Sequence, residues 1–159
     1  MTRKEQYNQL ILQIAELIKD ETNLVGILAN VSAALHDTFP ERFFWVGFYL
    51  QAHGNMLRLG PFQGSVACYT IPFGKGVCGK AWEEGRTLIV PDVEKFPGHI
   101  ACSSLSRCEI VIPMYDDSHT FRGVLDIDST RLNDFNEDDK EGLERIIELL
   151  MEETQDLFQ

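Results

Sequence analysis

Cys102 closes the run Gly98-His99-Ile100-Ala101-Cys102, and Glu109 follows it seven residues later. Two further cysteines come earlier, Cys68 in Val66-Ala67-Cys68-Tyr69 and Cys78 in Gly76-Val77-Cys78-Gly79. Two aspartates come later, in Gly123-Val124-Leu125-Asp126-Ile127-Asp128-Ser129. These residue types define the chemistry available. A thiolate is a nucleophile, and once oxidised to a sulfenic acid it condenses with a neighbouring thiol to a disulfide. Carboxylates hold an ammonium group or, when their pKa is raised, deliver a proton. If these side chains converge, the pocket they form is equipped for thiol redox chemistry on a small polar molecule.

Each group also has a plainer reading. The cysteines are spaced by ten, twenty-four and six residues, with neither a C-x-x-C pair nor two nearby histidines. A structural zinc site built from short-range pairs is therefore not expected. Free cysteine is a common small core residue, and Cys108, beside a predicted strand start, is expected to be inert. Cys68 is expected to begin a strand. Cys78 and Cys102 are expected in loops beside glycines, where reactive groups concentrate. Asp126 and Asp128 are two apart on a predicted strand and share a face, opposite Leu125 and Ile127. A solvated face is the ordinary account of such a pair, yet aspartate is depleted in strands and asks for a reason.

Glu109, at the head of the neighbouring strand, would complete an acidic pocket. Trp45 and Tyr49 also share a strand face, and serve either core packing or one wall of that pocket. His99 either assists a thiolate or caps its turn. Gly74-x-Gly76-x-x-Gly79 matches a dinucleotide-binding loop in letters but sits in no βαβ unit. A tight turn exposing backbone N–H groups is the expectation there.

The elements that must position these groups follow from periodicity. Tyr7, Leu10, Ile14, Leu17 and Ile18 make one helical stripe, and Leu24, Ile27, Leu28, Val31 and Leu35 a second. Thr22 or Asn23 can cap the second helix, and Phe39-Pro40 ends it. Phe43 to Leu50 is aromatic and branched and reads as a central strand. His53-Gly54-Asn55 turns the chain into a returning strand at Met56 to Gly60, with Pro61 to Gly64 as a loop. Short strands at Cys68 to Ile71 and Thr87 to Val90 flank a short helix from Lys80 to Glu84.

Pro91 to Arg107 shows little periodicity, and a loop of that length is usually functional or disordered. Strands at Glu109 to Tyr115 and Phe121 to Asp128 precede a final helix. Asn136 caps it, Asp139 takes its third position, and Leu143, Ile146, Ile147, Leu150 and Leu157 form its stripe. Hairpin strands with helices segregated to the ends predict an α+β fold. Its central antiparallel sheet carries the N- and C-terminal helices on one face and a loop-rich ligand pocket on the other.

With 159 residues, 44 % of them hydrophobic and 25 % charged, residues 1–159 are expected to form a single domain with a real core. The net charge of −11 argues against sequence-independent nucleic-acid binding. No apolar run approaches the length of a membrane span. The opening Met1-Thr2-Arg3-Lys4 lacks the apolar stretch of a signal peptide. A cytoplasmic location is expected, with the four cysteines acting as thiols, ligands or catalysts rather than as a disulfide framework.

Taken together, five motifs resemble the free methionine (R)-sulfoxide reductases, small enzymes built on a single GAF domain. They are Gly47-Phe48-Tyr49-Leu50, Gly60-Pro61-Phe62-Gln63-Gly64, Gly76-Val77-Cys78-Gly79, Gly98-His99-Ile100-Ala101-Cys102 and Gly123-Val124-Leu125-Asp126-Ile127-Asp128-Ser129. The resemblance runs from about Trp45 to Asp128 and, more weakly, over both terminal helices. It implies a GAF-like fold and reduction of free L-methionine-(R)-S-oxide, with Cys102 attacking the sulfoxide sulfur and remaining as a sulfenic acid. It further implies Cys68 as resolving thiol, Cys78 as a further or alternative one, and thioredoxin as external reductant with no bound cofactor.

In the same resemblance Glu109, Asp126 and Asp128 correspond to the substrate carboxylates, and Trp45 and Tyr49 to an aromatic wall around the substrate methyl group. Cys108 has no counterpart role. Such enzymes are typically dimeric, so a homodimer is implied. The alternative is a non-enzymatic GAF sensor, which shares the sheet and binds a small ligand or reports oxidation through its cysteines.

Overall fold

The computed structural model describes residues 1–100 and 102–158. Its strands are β1 (Trp45–Ala52), β2 (Met56–Gln63), β3 (Thr70–Pro72), β4 (Leu88–Val90), β5 (Cys108–Tyr115) and β6 (Phe121–Ser129). They form one six-stranded sheet in the order β3-β2-β1-β6-β5-β4, antiparallel at every junction. The chain thus lays down one half of the sheet, then the other, and joins them where β6 pairs with β1.

Alternation along the strands makes two different faces. On one, Val46, Phe48, Ile110, Ile112, Leu125 and Ile127 are at most 2 % exposed. They are covered by α1 (Arg3–Ile18), α2 (Leu24–Thr38) and α4 (Glu137–Thr154). Burying a side chain of this size contributes roughly 1.5–3 kcal/mol, so this larger of two apolar clusters anchors the fold. Side-chain caps fix where its helices start: Asn23 accepts from the Gly26 N–H, and capping boxes pair Thr2 with Glu5 and Asn136 with Asp139. Leu17, expected in the first stripe, is 38 % exposed. The buried line is Tyr7, Leu10, Ile14 and Ile18, whose spacing stays closer to one side of the helix.

The opposite face carries α3 (Gly76–Glu84) and the segment from Pro91 to Arg107, whose described residues hold one 3-10 turn, at Val93–Lys95. Its C-terminal end is pinned to the sheet by the Arg107 N–H donating to the Ser129 carbonyl at 2.8 Å. The Val93 N–H donates to the Arg107 carbonyl at 2.9 Å and ties the segment back on itself. Among the described residues no helix is long and apolar enough to cross a membrane.

Several boundaries differ from expectation. β1 begins at Trp45, not Phe43, and β2 runs through Pro61 and Phe62 to Gln63 where a loop was expected. The reason is pairing: Val46 and Gly47 of β1 face Gln63 and Phe62. Cys68 precedes β3 instead of opening it, and α3 starts at Gly76, not Lys80. The glycines there look like turn residues, but Gly79 serves packing. A Cβ on it would lie 2.5 Å from the Pro72 carbonyl oxygen.

Candidate active site

Strand register assembles the acids. Glu109 of β5 lies directly opposite Asp128 of β6, Asp128 lies opposite Trp45 of β1, and Asp126 lies opposite Gly47. All of these positions share the face away from α1, α2 and α4. Gly47 keeps this corner open, because a Cβ there would stand 2.2 Å from that of Phe62 and 2.9 Å from the Trp45 ring. Trp45 is therefore free to stack between Phe62, at 5.1 Å, and Tyr49, at 5.9 Å between ring centroids.

Glu109, Asp126, Asp128, Trp45 and Tyr49 line one cavity together with Cys78, His99 and Cys102. The cavity is small, about 40 Å³. Cys102, on the Pro91–Arg107 segment, is exposed and is joined by a disulfide to Cys68, their Cα atoms 5.5 Å apart. Ala101, within the motif that carries Cys102, lies outside the described residues. The Tyr49 hydroxyl donates to the Cys68 carbonyl at 3.0 Å, and the Trp45 indole N–H donates to the Ser65 carbonyl at 3.0 Å. The aromatic wall thus also moors the segment that presents Cys68.

The floor of the cavity is unusual in its charge. Glu109 and Asp126 are 6 % and 5 % exposed, so the solvated-face reading does not hold for Asp126. Burial, and then the neighbouring Asp128 charge, push the Glu109 carboxyl up to about 8. Asp126 is raised well above the usual carboxylate range by burial and then by the neighbouring Glu109. Asp128 rises by burial and then by the Asp126 charge. Adjacent carboxyls in a dry site cannot all ionise, so the group holds protons at neutral pH. Among the described residues Asp126 Oδ1 is the one buried carboxylate oxygen with no hydrogen-bond partner.

Cys78 is not in a loop. It sits in the first turn of α3, 2 % exposed, with its sulfur 4.0 Å from Glu109 Oε2. Burial, then the Asp126 and Glu109 charges, push its thiol up, which makes it a poor nucleophile as placed. Cys108 lies on the helix-covered face, fully buried, as a core residue. The His99 N–H donates to the Phe96 carbonyl at 3.2 Å within its turn; its Nε2 is 3.6 Å from Glu109 Oε1, and burial lowers its pKa, favouring the neutral imidazole.

One element escaped sequence reasoning. Lys75 gives α3 no side-chain cap, so the first backbone N–H groups of that helix lack partners within it. Gly76, Val77 and Cys78, which carry them, line the cavity. The expected turn with exposed N–H groups and the short helix after it were the legible part of this signal; that the helix already starts at Gly76, with Cys78 in its first turn, was not.

A GAF domain model matches residues 21–151. Over 149 residues the chain is 55 % identical to GAF domain-containing protein A of Dictyostelium discoideum, covering 94 % of this chain and 92 % of that one. It is 41 % identical over 155 residues to the free methionine-R-sulfoxide reductase of Saccharomyces cerevisiae, covering 94 % and 86 %. The X-ray structure of free methionine-R-sulfoxide reductase from Neisseria meningitidis in complex with its substrate superposes with a TM-score of 0.93 at 45 % identity, covering 98 % of this chain and 92 % of that one. By fold and by this extent of identity, the chain belongs to the GAF domain family and, within it, to the free methionine-R-sulfoxide reductases.

Proposed function

We propose that the protein reduces free L-methionine-(R)-S-oxide to L-methionine with electrons from its own thiols. The observation that carries this reading is the Cys68–Cys102 disulfide standing over a cavity lined by Glu109, Asp126, Asp128, Trp45 and Tyr49. In the reduced protein the Cys102 thiolate attacks the sulfoxide sulfur. The sulfoxide oxygen, protonated by a carboxyl that burial keeps neutral, passes to Cys102 as S–OH and methionine leaves. The Cys68 thiol then displaces hydroxide from the sulfenic acid, giving the disulfide and water. A dithiol such as thioredoxin takes the oxidised pair back to two thiols, so each turnover consumes one reductant dithiol.

Glu109 fits the role of acid, being neutral below about pH 8. Asp126 and Asp128 fit the substrate ammonium, a group that peptide-bound methionine lacks, and the uncapped start of α3 suits its carboxylate. Cys68 is the better resolving thiol, because Cys78 is buried with a raised pKa. The 40 Å³ cavity belongs to the oxidised state; an amino acid needs the Cys102 segment to withdraw once the disulfide is cut. The test is to incubate the protein with each epimer of free methionine sulfoxide and dithiothreitol. Methionine should form from the R epimer alone. No methionine from either would leave a GAF sensor as the better account.

A further inference from the structure

We propose that Cys78, Glu109 and Asp126, with His99 on the open side, form a binding site for a divalent cation of zinc-like character. The first three come from three elements, α3, β5 and β6, and offer ligand atoms all within 4.8 Å of one another. One Glu109 oxygen is 4.0 Å from the Cys78 sulfur, and the other is 3.6 Å from His99 Nε2. Ligands held about 2.0–2.3 Å from one zinc stand roughly 3.3–3.5 Å apart at tetrahedral angles. Side-chain rotation would have to draw the three donors in from within 4.8 Å to that spacing.

A second observation points to a ligand. Asp126 is 5 % exposed, lines the cavity, and leaves Oδ1 without a partner. A buried oxygen of this kind is costly unless something pairs with it. The donor set selects the ion. Thiolate and imidazole favour zinc over calcium or magnesium, which prefer oxygen shells. A dication would itself draw the proton off the buried Cys78 thiol, because a coordinating thiol is held as thiolate. Two carboxylates and a thiolate around a dication leave one net negative charge, so binding releases the protons that these groups hold.

The absence of paired cysteines in the sequence does not bear on this site, because its donors meet only in the folded chain. The donors lie together with the Cys68–Cys102 disulfide in place, and two of them, Glu109 and Asp126, are shared with the proposed substrate site. An ion bound there fills ground that an amino acid would need.

The experiment uses the oxidised full-length protein, stripped with a chelator, desalted, and titrated with Zn²⁺ and Cd²⁺. One cadmium per chain should bind with a near-ultraviolet thiolate charge-transfer band. Zinc-edge X-ray absorption of the unsubstituted chain should show one sulfur at about 2.3 Å among nitrogen and oxygen ligands at about 2.0 Å. Cys78→Ser should abolish the band and weaken zinc by about tenfold or more, or about 1.4 kcal/mol. Asp126→Asn should weaken zinc similarly while the band persists at higher cadmium. Cys108→Ser should change neither. No saturable binding, a shell without sulfur, or a band that survives Cys78→Ser overturns the site. All of these readouts are independent of turnover, so failure of the reductase reading and failure of the metal site are told apart.

Discussion

Asp139 and Asp126 are both buried aspartates, placed on opposite sides of one sheet under opposite conditions. Asp139, fully buried in the first turn of α4, accepts from Arg3 at 2.7 Å, Arg42 at 2.8 Å, the Tyr7 hydroxyl at 2.7 Å and the Asn136 N–H at 2.9 Å. Arg42 in turn lies over the rings of Phe39, Phe43 and Phe135. Asp126 faces other acids, the Cys78 thiol, the Tyr49 phenol and a half-buried histidine, and among the described residues its Oδ1 has no partner. The first is architecture, because removing it leaves charges stranded. The second belongs to the candidate site, where an oxygen without a partner suits a group brought from outside the chain.

That contrast can be broken or sharpened by measurement. The largest effect belongs to the cavity mouth. Cys102→Ser should abolish even a single turnover, whereas Cys68→Ser should release one equivalent of methionine and then cycle poorly with thioredoxin. Unimpaired cycling of Cys68→Ser would move the resolving role to Cys78. Next is Asp139→Ala, which strands Arg42 and should lower unfolding stability by about 3–5 kcal/mol in a denaturant titration. Activity per folded molecule should be kept; a loss of catalysis without a loss of stability would erase the distinction between the two sides.

Asp126→Asn should do the reverse. It should weaken substrate binding about ten- to a hundredfold, or roughly 1.5–3 kcal/mol for a charge-assisted contact, with stability unchanged or raised. Smaller for each pH unit is the response of metal-free protein to pH. Glu109 rises from its ordinary 4.5 to about 8 in the folded chain. Between those values the folded state holds a proton that the unfolded state has lost, so stability falls as pH rises, by about 1.4 kcal/mol per unit at most from this group. Glu109→Gln should flatten that slope in chemical denaturation at pH 5 and pH 8. Smallest of all, Leu17→Ala on the exposed side of α1 should stay within about 0.5 kcal/mol of the parent; a larger loss would mean this position is covered in solution.

Much of the fold was readable in advance because its signals are local. Alternation placed Asp126 and Asp128 on one face and Leu125 and Ile127 on the other, and the sheet keeps that division. Asn136 and Asp139 announced the start of α4 through a capping box that the structure contains. The glycines misled where their job was close approach and not turning, as at Gly79 beneath the Pro72 carbonyl. Strand ends misled where pairing with β1 drew the Pro61-Phe62-Gln63 stretch into β2.

The site divides in the same way. Its residue types were fixed by the chain: thiols at 68, 78 and 102, acids at 109, 126 and 128, and aromatic rings at 45 and 49. A side chain's chemistry and its side of a strand follow from the residue and its near neighbours alone. Only the tertiary structure decided that Cys78 is a buried helical thiol beside Glu109, that His99 faces the same carboxylate, and that Cys68 meets Cys102. Depth, protonation and partnership are sums over groups from distant segments, and no window of sequence contains them.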